Sequence, residues 1–391
     1  MEQAIILAAG EGQRLRPLTR FKPKVMLSIG NKPILQHILE AVAANGIRRI
    51  VLIVGYRKEQ VQDYFGSGES LGIEITYVEQ KQQLGTAHAL KQAQTVADDS
   101  FLVISGDNIV RPNTIARMMN AEPPCVLVKP RDDVSKYGVV VTHRNLVTSI
   151  VEKPQGEGSN LVNTGIYSFS REIFSFIEGE VDLPPVINRM ADDGVPVRVC
   201  ETNDVWLDVV YPWDMLKLNA LVLEQNQSRS GGQIEHGTVI KGPVDIGEGT
   251  IVRSGSYLVG PLSIGKDCEI GPHACIFPST SIGDNVTVSS FCSVRNCIVG
   301  NNIQLGPSSH IEDSIIGRGS QLGGHFMAHG GQAIAYIDEE PHHVNFGTVV
   351  GEHSIIGANV VVKPGTFLGN RCRIQSLKLL QENIPDDCLV A

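Results

Sequence analysis

Apolar residues recur with two different periods along this chain. In the first half, short aliphatic runs alternate with stretches of helical period. Ala4 to Ala8 predicts a strand, and Pro33 to Asn45 predicts a helix with Leu35, Ile38, Leu39 and Val42 on one face. Gly46 stops that helix before a second strand, Ile50 to Val54. Ile73 to Val78, a helix from Thr86 to Ala97, and Phe101 to Ile104 repeat the alternation; Leu207 to Leu223 predicts a closing helix. Strand and helix in turn imply a parallel sheet covered on both faces, an α/β doubly wound, Rossmann-like domain. Such sheets bind ligands at the carboxyl ends of their strands.

The second half follows another rule. Aliphatic residues fall at every sixth position at Ile234, Ile240, Ile246, Val252, Leu258, Ile264, Ile270, Ile276, Ile282, Val288 and Val294. The phase slips by one residue at Val299 and again at Ile316, and it returns at Val344, Val350, Ile356, Val362, Leu368 and Ile374. Gly247, Gly265, Gly271, Gly283 and Gly357 directly follow in-phase aliphatics and mark corners. A hexad is too short to bury anything alone, so rungs must stack into a parallel β-helix. The polar, glycine-rich stretch around 228–232 predicts a linker between a domain at 1–227 and another at 233–391. Gly323 to His343 breaks the phase for about three rungs, a loop long enough to carry function.

Composition narrows the function classes. With 391 residues, 42% apolar and 19% charged, the chain is neither disordered nor collagen-like. A net charge of −9 offers no whole-protein field for phosphates, which speaks against nucleic acid as a partner. No apolar run reaches about 18 residues, so no membrane span is expected. Eight cysteines without a C-x-x-C pair predict reduced, mostly buried thiols and a cytoplasmic location.

Two loops at strand ends carry candidate chemistry. The first contains G-x-G, but Leu15 stands where a dinucleotide fingerprint needs its third glycine. Instead Arg14, Arg16, Lys22 and Lys24 crowd a loop punctuated by Pro17 and Pro23. Small residues let backbone N–H groups approach an anion, and four cations suit a polyphosphate. The second loop, Ser105-Gly106-Asp107-Asn108, offers a carboxylate at a strand end, the hard oxygen ligand that Mg²⁺ prefers beside phosphates.

Leu7 to Thr19, which reads L-A-A-G-x-G-x-R-L-x-P-L-T, followed by Pro23-Lys24, resembles the signature of sugar-1-phosphate nucleotidylyltransferases. The hexads resemble the left-handed β-helix of the bifunctional N-acetylglucosamine-1-phosphate uridylyltransferases and the long thymidylyltransferases. Left-handedness is implied by that resemblance; the general crossover rule gives the opposite hand. The implied reaction is attack of a sugar-1-phosphate oxygen on the α-phosphorus of UTP or dTTP, releasing pyrophosphate. The sugar is glucose or N-acetylglucosamine. By resemblance Arg14 stabilises the leaving pyrophosphate and Lys24 the α-phosphate. Leu7, Ala9, Gly10 and Gly12 belong to the nucleotide loop, while Gln80, Gly85 and Thr86 resemble the pyrimidine site. Thr86 is equally an N-cap candidate. Gly138 in Lys136-Tyr137-Gly138, Glu152, Lys153 and Asn163 resemble the sugar-phosphate site. Asp208 resembles the second metal carboxylate of the thymidylyltransferases, where the bifunctional family has Asn; alone it is also a plausible N-cap.

For the β-helix the resemblance implies two alternatives. One is an acetyl-CoA-dependent acetyltransferase with His325 as base, although Ala328 replaces the family's Tyr. The other is a scaffold for homo-oligomers, trimers or their multiples. His329, His342 and His343 share the stretch without a metal-ligand spacing. A non-catalytic, initiation-factor-like subunit is a third reading, opposed by the joint presence of Arg14, Lys24, Asp107 and Asp208.

Overall fold

The computed structural model describes residues 1–152, 158–226 and 228–391, and the chain divides into two compact units. The first comprises Met1–Glu11, Lys22–Met26 and Ile34–Asp208. Among its described residues nine strands form one sheet. Their order is Glu74–Glu79, Arg49–Val54, Gln3–Ala8, Ser100–Ser105, Leu161–Ser170, Cys125–Pro130, Arg198–Glu201, Leu146–Glu152 and Gly138–His143. The first four run parallel, as crossovers through the helices Ile34–Ala44, Lys58–Phe65 and Thr86–Gln92 require.

The parallel order expected for the strands up to Ile104 is present, and beyond Ser105 the sheet becomes mixed. Leu161–Ser170 pairs antiparallel with Ser100–Ser105, and Gly138–His143 with Leu146–Glu152. The physical reason is local at the second pair. Arg144 and Asn145 take φ of 52° and 63°, the two-residue hairpin geometry, and no helix intervenes. Burial follows the period of 2. Ile6, Leu52 and Ile104 face a core with Leu35, Ile38, Leu39 and Val42 from the first helix. Ile5, Val51, Ile53 and Val103 face the opposite core with Ala87, Leu90 and Ile187.

The second unit comprises Gly12–Phe21, Leu27–Pro33 and Val209–Ala391. Its body is a left-handed parallel β-helix whose coils each lay one short strand on three sheets. The in-phase aliphatics point inward and stack in register: Ile246 on Ile264, Val252 on Ile270, Leu258 on Ile276. Both phase slips are corners one residue shorter, since Ile282 still pairs with Val299 and Val299 with Ile316. Cys268, Cys292, Cys297 and Cys372 are buried in the core of this stack, and all eight cysteines are free thiols.

Three details differ from the sequence reading. Met327–Ala328 remains a rung strand, paired with Val361–Val362, so the interruption is shorter than three rungs. It consists of a hairpin, Gln332–Ile337 with Glu340–Asn345, and Val344 sits on that hairpin rather than in the rung core. Leu207 to Leu223 is not one helix. Trp206–Asp208 is a strand, and the helix Pro212–Leu223 begins only at Pro212, whose missing N–H suits a first helical turn. Finally, the compact units divide at Asp208 and Val209 rather than at 228–232. Arg229–Ser230 already pairs with the coil above it.

Candidate active site

The first strand ends at Ala8 and the fourth at Ser105, and their outgoing loops are tied together. The Gly106 N–H donates to the Leu7 carbonyl at 2.8 Å, which fixes the Asp107 turn against the first strand. Tyr56 N–H likewise holds the Ala9 carbonyl at 3.2 Å. Between these ends lies a cavity of about 250 Å³ in the first unit. Leu7, Ala9, Gly10, Gln80, Gly85 and Thr86 line it, and Lys24 and Asp107 stand on its wall. Eight residues singled out from sequence thus meet in one concavity.

Asp107 is bonded by the Lys24 ammonium. Asp208 is brought beside it by a two-stranded pairing, Trp206–Asp208 against Asn108–Val110, in which Asp208 lies opposite Asn108. Two anchors set that pairing. Asn108 Nδ2 and Trp206 Nε1 both donate to the Thr164 carbonyl, at 2.9 and 3.1 Å. The Tyr137 hydroxyl donates to Asp208 Oδ1 at 2.9 Å, and Arg131 lies 5.2 Å from the centres of the Tyr137 and Trp206 rings. Burial, and then the nearby Asp107 charge, push the Asp208 carboxyl above its usual range, against the pull of Lys24 and Tyr137. Two neighbouring carboxylates with Lys24 beside them form a donor set suited to a hard divalent cation.

Gln80 is 3% exposed. Its Nε2 lies 3.0 Å from the Gly85 carbonyl, to which it donates, and 3.0 Å from His88 Nδ1. The amide oxygen is the atom that remains for a ligand N–H. Gly85 has φ 154°, and a Cβ there would collide with the Val181 carbonyl, so its glycine character serves the neighbouring loop. Thr86 does not cap its own helix. Its N–H donates to Asp182 Oδ1 at 3.0 Å, and its hydroxyl accepts the Leu183 N–H at 2.9 Å, joining two helix starts.

Gly138 and Glu152 are register partners, and a Cβ on Gly138 would stand 2.8 Å from Glu152 Oε1. Asn163 makes two internal hydrogen bonds: Nδ2 donates to the Tyr167 hydroxyl at 2.8 Å and Oδ1 accepts the Gly165 N–H at 3.2 Å. Lys153 lies outside the described residues.

Gly12 and Arg14 belong to the second unit. Gly12 takes a left-handed backbone, and Arg14 is exposed on the turn Gln13–Leu15. The β-helix holds this loop. The fully buried Asn370 donates from Nδ2 to the Pro17 carbonyl at 3.0 Å, Arg371 lies 4.5 Å over the Phe21 ring, and Arg20 meets Asp386 at 3.7 Å. Arg14, Arg16, Asp338 and Asp386 are among the residues that line a cavity of about 360 Å³ within this unit. His325 is exposed at a coil corner with φ 57°.

Sequence reasoning passed over Tyr137, Asn108, Thr164, Trp206, His88, Asp182 and Asn370. Tyr137 sits inside a triplet used for its glycine, and Asp182 precedes Leu183-Pro184, an N-cap signal. The others required the strand pairing to be known.

Comparisons with known proteins identify the family. Residues 3–225 match the nucleotidyl transferase family model. Residues 258–335 match a GMPPB C-terminal domain, and residues 347–376 the hexapeptide repeat of succinyl-transferase. The bifunctional protein GlmU of Methanocaldococcus jannaschii is 35% identical, covering 99% of this chain and 97% of that protein. A glucose-1-phosphate thymidylyltransferase of Streptomyces antibioticus is 34% identical over 73% of this chain and 84% of its own. The crystal structure of a Bacillus anthracis protein described as a glucose-1-phosphate thymidylyltransferase superposes with a TM-score of 0.53 at 30% identity. It covers 58% of this chain and 97% of that one.

Proposed function

Because this chain belongs to the nucleotidyl transferase family, we propose that it transfers a nucleotidyl group from UTP or dTTP to glucose-1-phosphate or N-acetylglucosamine-1-phosphate. A sugar-phosphate oxygen forms a bond to the α-phosphorus while the bond to the β-phosphate oxygen breaks, and pyrophosphate departs with the electron pair. The phosphate monoester is already ionised at neutral pH, so no base is needed. The observation that carries this reading is Lys24 ion-paired with Asp107, next to Asp208, on the rim of a cavity floored by Gln80.

Each residue then has a physical task. Lys24 exchanges its Asp107 partner for the α-phosphate, placing positive charge where negative charge accumulates in the transition state. Arg14 neutralises the departing pyrophosphate. The Gln80 oxygen accepts the pyrimidine N3–H. Gly138, Glu152, Lys153 and Asn163 orient the sugar phosphate for in-line approach. Asp107 and Asp208 would hold Mg²⁺, which supplies charge neutralisation between the two polyanions when bound. Pyrophosphate release, measured with each nucleotide and each sugar phosphate, tests the assignment; no release with any pair overturns it.

A second reading adds acetyl transfer from acetyl-CoA in the β-helix. It is supported by the end-to-end likeness to a protein named bifunctional. Thiol release from acetyl-CoA with an amino-sugar phosphate, lost in His325→Ala, is its test. We further propose a cytoplasmic homo-oligomer joined through the β-helix.

A further inference from the structure

The histidines around the phase break are sorted by the structure into different surroundings. His342 packs its ring 4.7 Å from that of Tyr211 and 5.5 Å from that of Trp213. His329 instead meets His310, whose ring centre is 4.7 Å away. The reason is register. Ile311 points into the β-helix core, so His310 and Glu312, one position to either side, both point outward. The coil above pairs His310 with Met327 and Ile311 with Ala328, which carries His329 to the place opposite Glu312. Three side chains of metal-ligating type therefore share one outward face on two adjacent rungs. Neighbouring strands about 4.8 Å apart set their spacing.

We propose that His310, Glu312 and His329 form a binding site for a borderline divalent cation of the Zn²⁺ or Co²⁺ type, separate from the carboxylate pair at the nucleotide cavity. One ligand atom from each residue lies within 4.8 Å of the other two. His310 Nε2 and Glu312 Oε1 are 3.3 Å apart. Tetrahedral ligands bonded at 2.0–2.2 Å stand roughly 3.3–3.5 Å from one another, so that edge is already at coordination distance. The exposed His329 closes the remaining gap, no more than about 1.5 Å, by side-chain rotation. Two imidazoles and one carboxylate select this class of ion over Mg²⁺, whose preference is for oxygen ligands. His310 and Glu312 are half-buried while His329 is open to solvent, which leaves a coordination position for water or an anion. The competing interaction is weak: Arg295 approaches Glu312 only to 3.9 Å, and its side chain is 57% exposed.

The test uses the full-length protein in saturating Mg²⁺, so that Asp107 and Asp208 are occupied. Co²⁺ is titrated and followed by its visible absorption, and Zn²⁺ by calorimetry. The wild type should bind a single high-affinity ion per chain, with the band shape of low-coordinate Co²⁺. His310→Ala and His329→Ala should each weaken that binding roughly a hundredfold, while pyrophosphate release in Mg²⁺ and the melting temperature stay at wild-type values. Co²⁺ and Zn²⁺ isotherms that are the same for wild type and both variants would overturn the site, as would a wild type that binds neither ion.

Discussion

Asn370 offers a test of the role proposed for Arg14. It is fully buried. Its Nδ2 donates to the Pro17 carbonyl at 3.0 Å and its Oδ1 accepts the Glu352 N–H at 2.8 Å. Its backbone N–H bonds Asp386 independently of the side chain. Asn370→Ala therefore strands the Glu352 N–H and removes the side-chain bonds to the Pro17 carbonyl, which keeps the Arg20 N–H at 3.2 Å, and to Asp386 Oδ1, which keeps the Asn370 backbone N–H. At about 1–3 kcal/mol for the stranded group and about 0.5–1.5 kcal/mol for each of the other two lost bonds, the cost is roughly 2–6 kcal/mol. The Pro17 carbonyl lies in the loop that carries Arg14, three residues before Pro17. Ile276→Ala, in an earlier coil, should cost a similar 2–5 kcal/mol or so through a cavity, without touching that loop. Both variants are assayed for pyrophosphate release well below their melting temperatures. Asn370→Ala should lose between about tenfold and a hundredfold in kcat, with little change in nucleotide KM, because Arg14 acts on the departing group. Ile276→Ala should retain wild-type turnover. Equal turnover in the two variants would refute the reasoning, since the loss would then be a stability effect or absent.

Three further outcomes follow from the site. Asp208→Asn should stabilise the metal-free protein at neutral pH by on the order of 1–2 kcal/mol, by removing one of two adjacent carboxylates. The Asp208 pKa is raised in the folded state, so its penalty is complete above that raised value and disappears below the ordinary carboxylate range. The gain in melting temperature should therefore fade on acidification, while turnover falls about 10²–10³-fold at every pH. Gly85→Ala, driven against the Val181 carbonyl at φ 154°, should cost roughly 1–3 kcal/mol in thermal unfolding and raise the nucleotide KM. Chelation with EDTA should abolish pyrophosphate release and added Mg²⁺ should restore it; activity that persists in EDTA would remove the metal from the account.

The hexads were legible because burial in a β-helix is local. Each inward aliphatic needs only the residue one coil away, so Ile246, Ile264 and Ile282 announce their own stacking. The two short corners at Val299 and Ile316 showed as phase slips for the same reason. What stayed hidden depends on pairing between distant segments. Trp206–Asp208 carries apolar residues that continue naturally into a helical pattern, and only its partner Asn108–Val110 makes it a strand. The mixed half of the sheet is decided by which distant strands pair, Leu161–Ser170 with Ser100–Ser105 and with Cys125–Pro130, rather than by strand composition. At the candidate site, Lys24 and Asp107 were legible by residue type at strand ends, and Gln80 through the resemblance of its segment to a pyrimidine site. The role of Asn370 in holding the Pro17 carbonyl was not, since 353 residues separate the partners. His310 and His329 were invisible as a pair because their spacing has meaning only once the coil length is known.

The central claim is that a lysine and two carboxylates at the rim of one sheet let two anions react. The direct measurement is steady-state pyrophosphate release by purified Asp107→Ala, with saturating nucleotide, sugar-1-phosphate and Mg²⁺, beside wild type and with folding verified by thermal melting. The account predicts turnover lower by about 10²-fold or more with the fold retained. Turnover within a factor of two or so of wild type would contradict it.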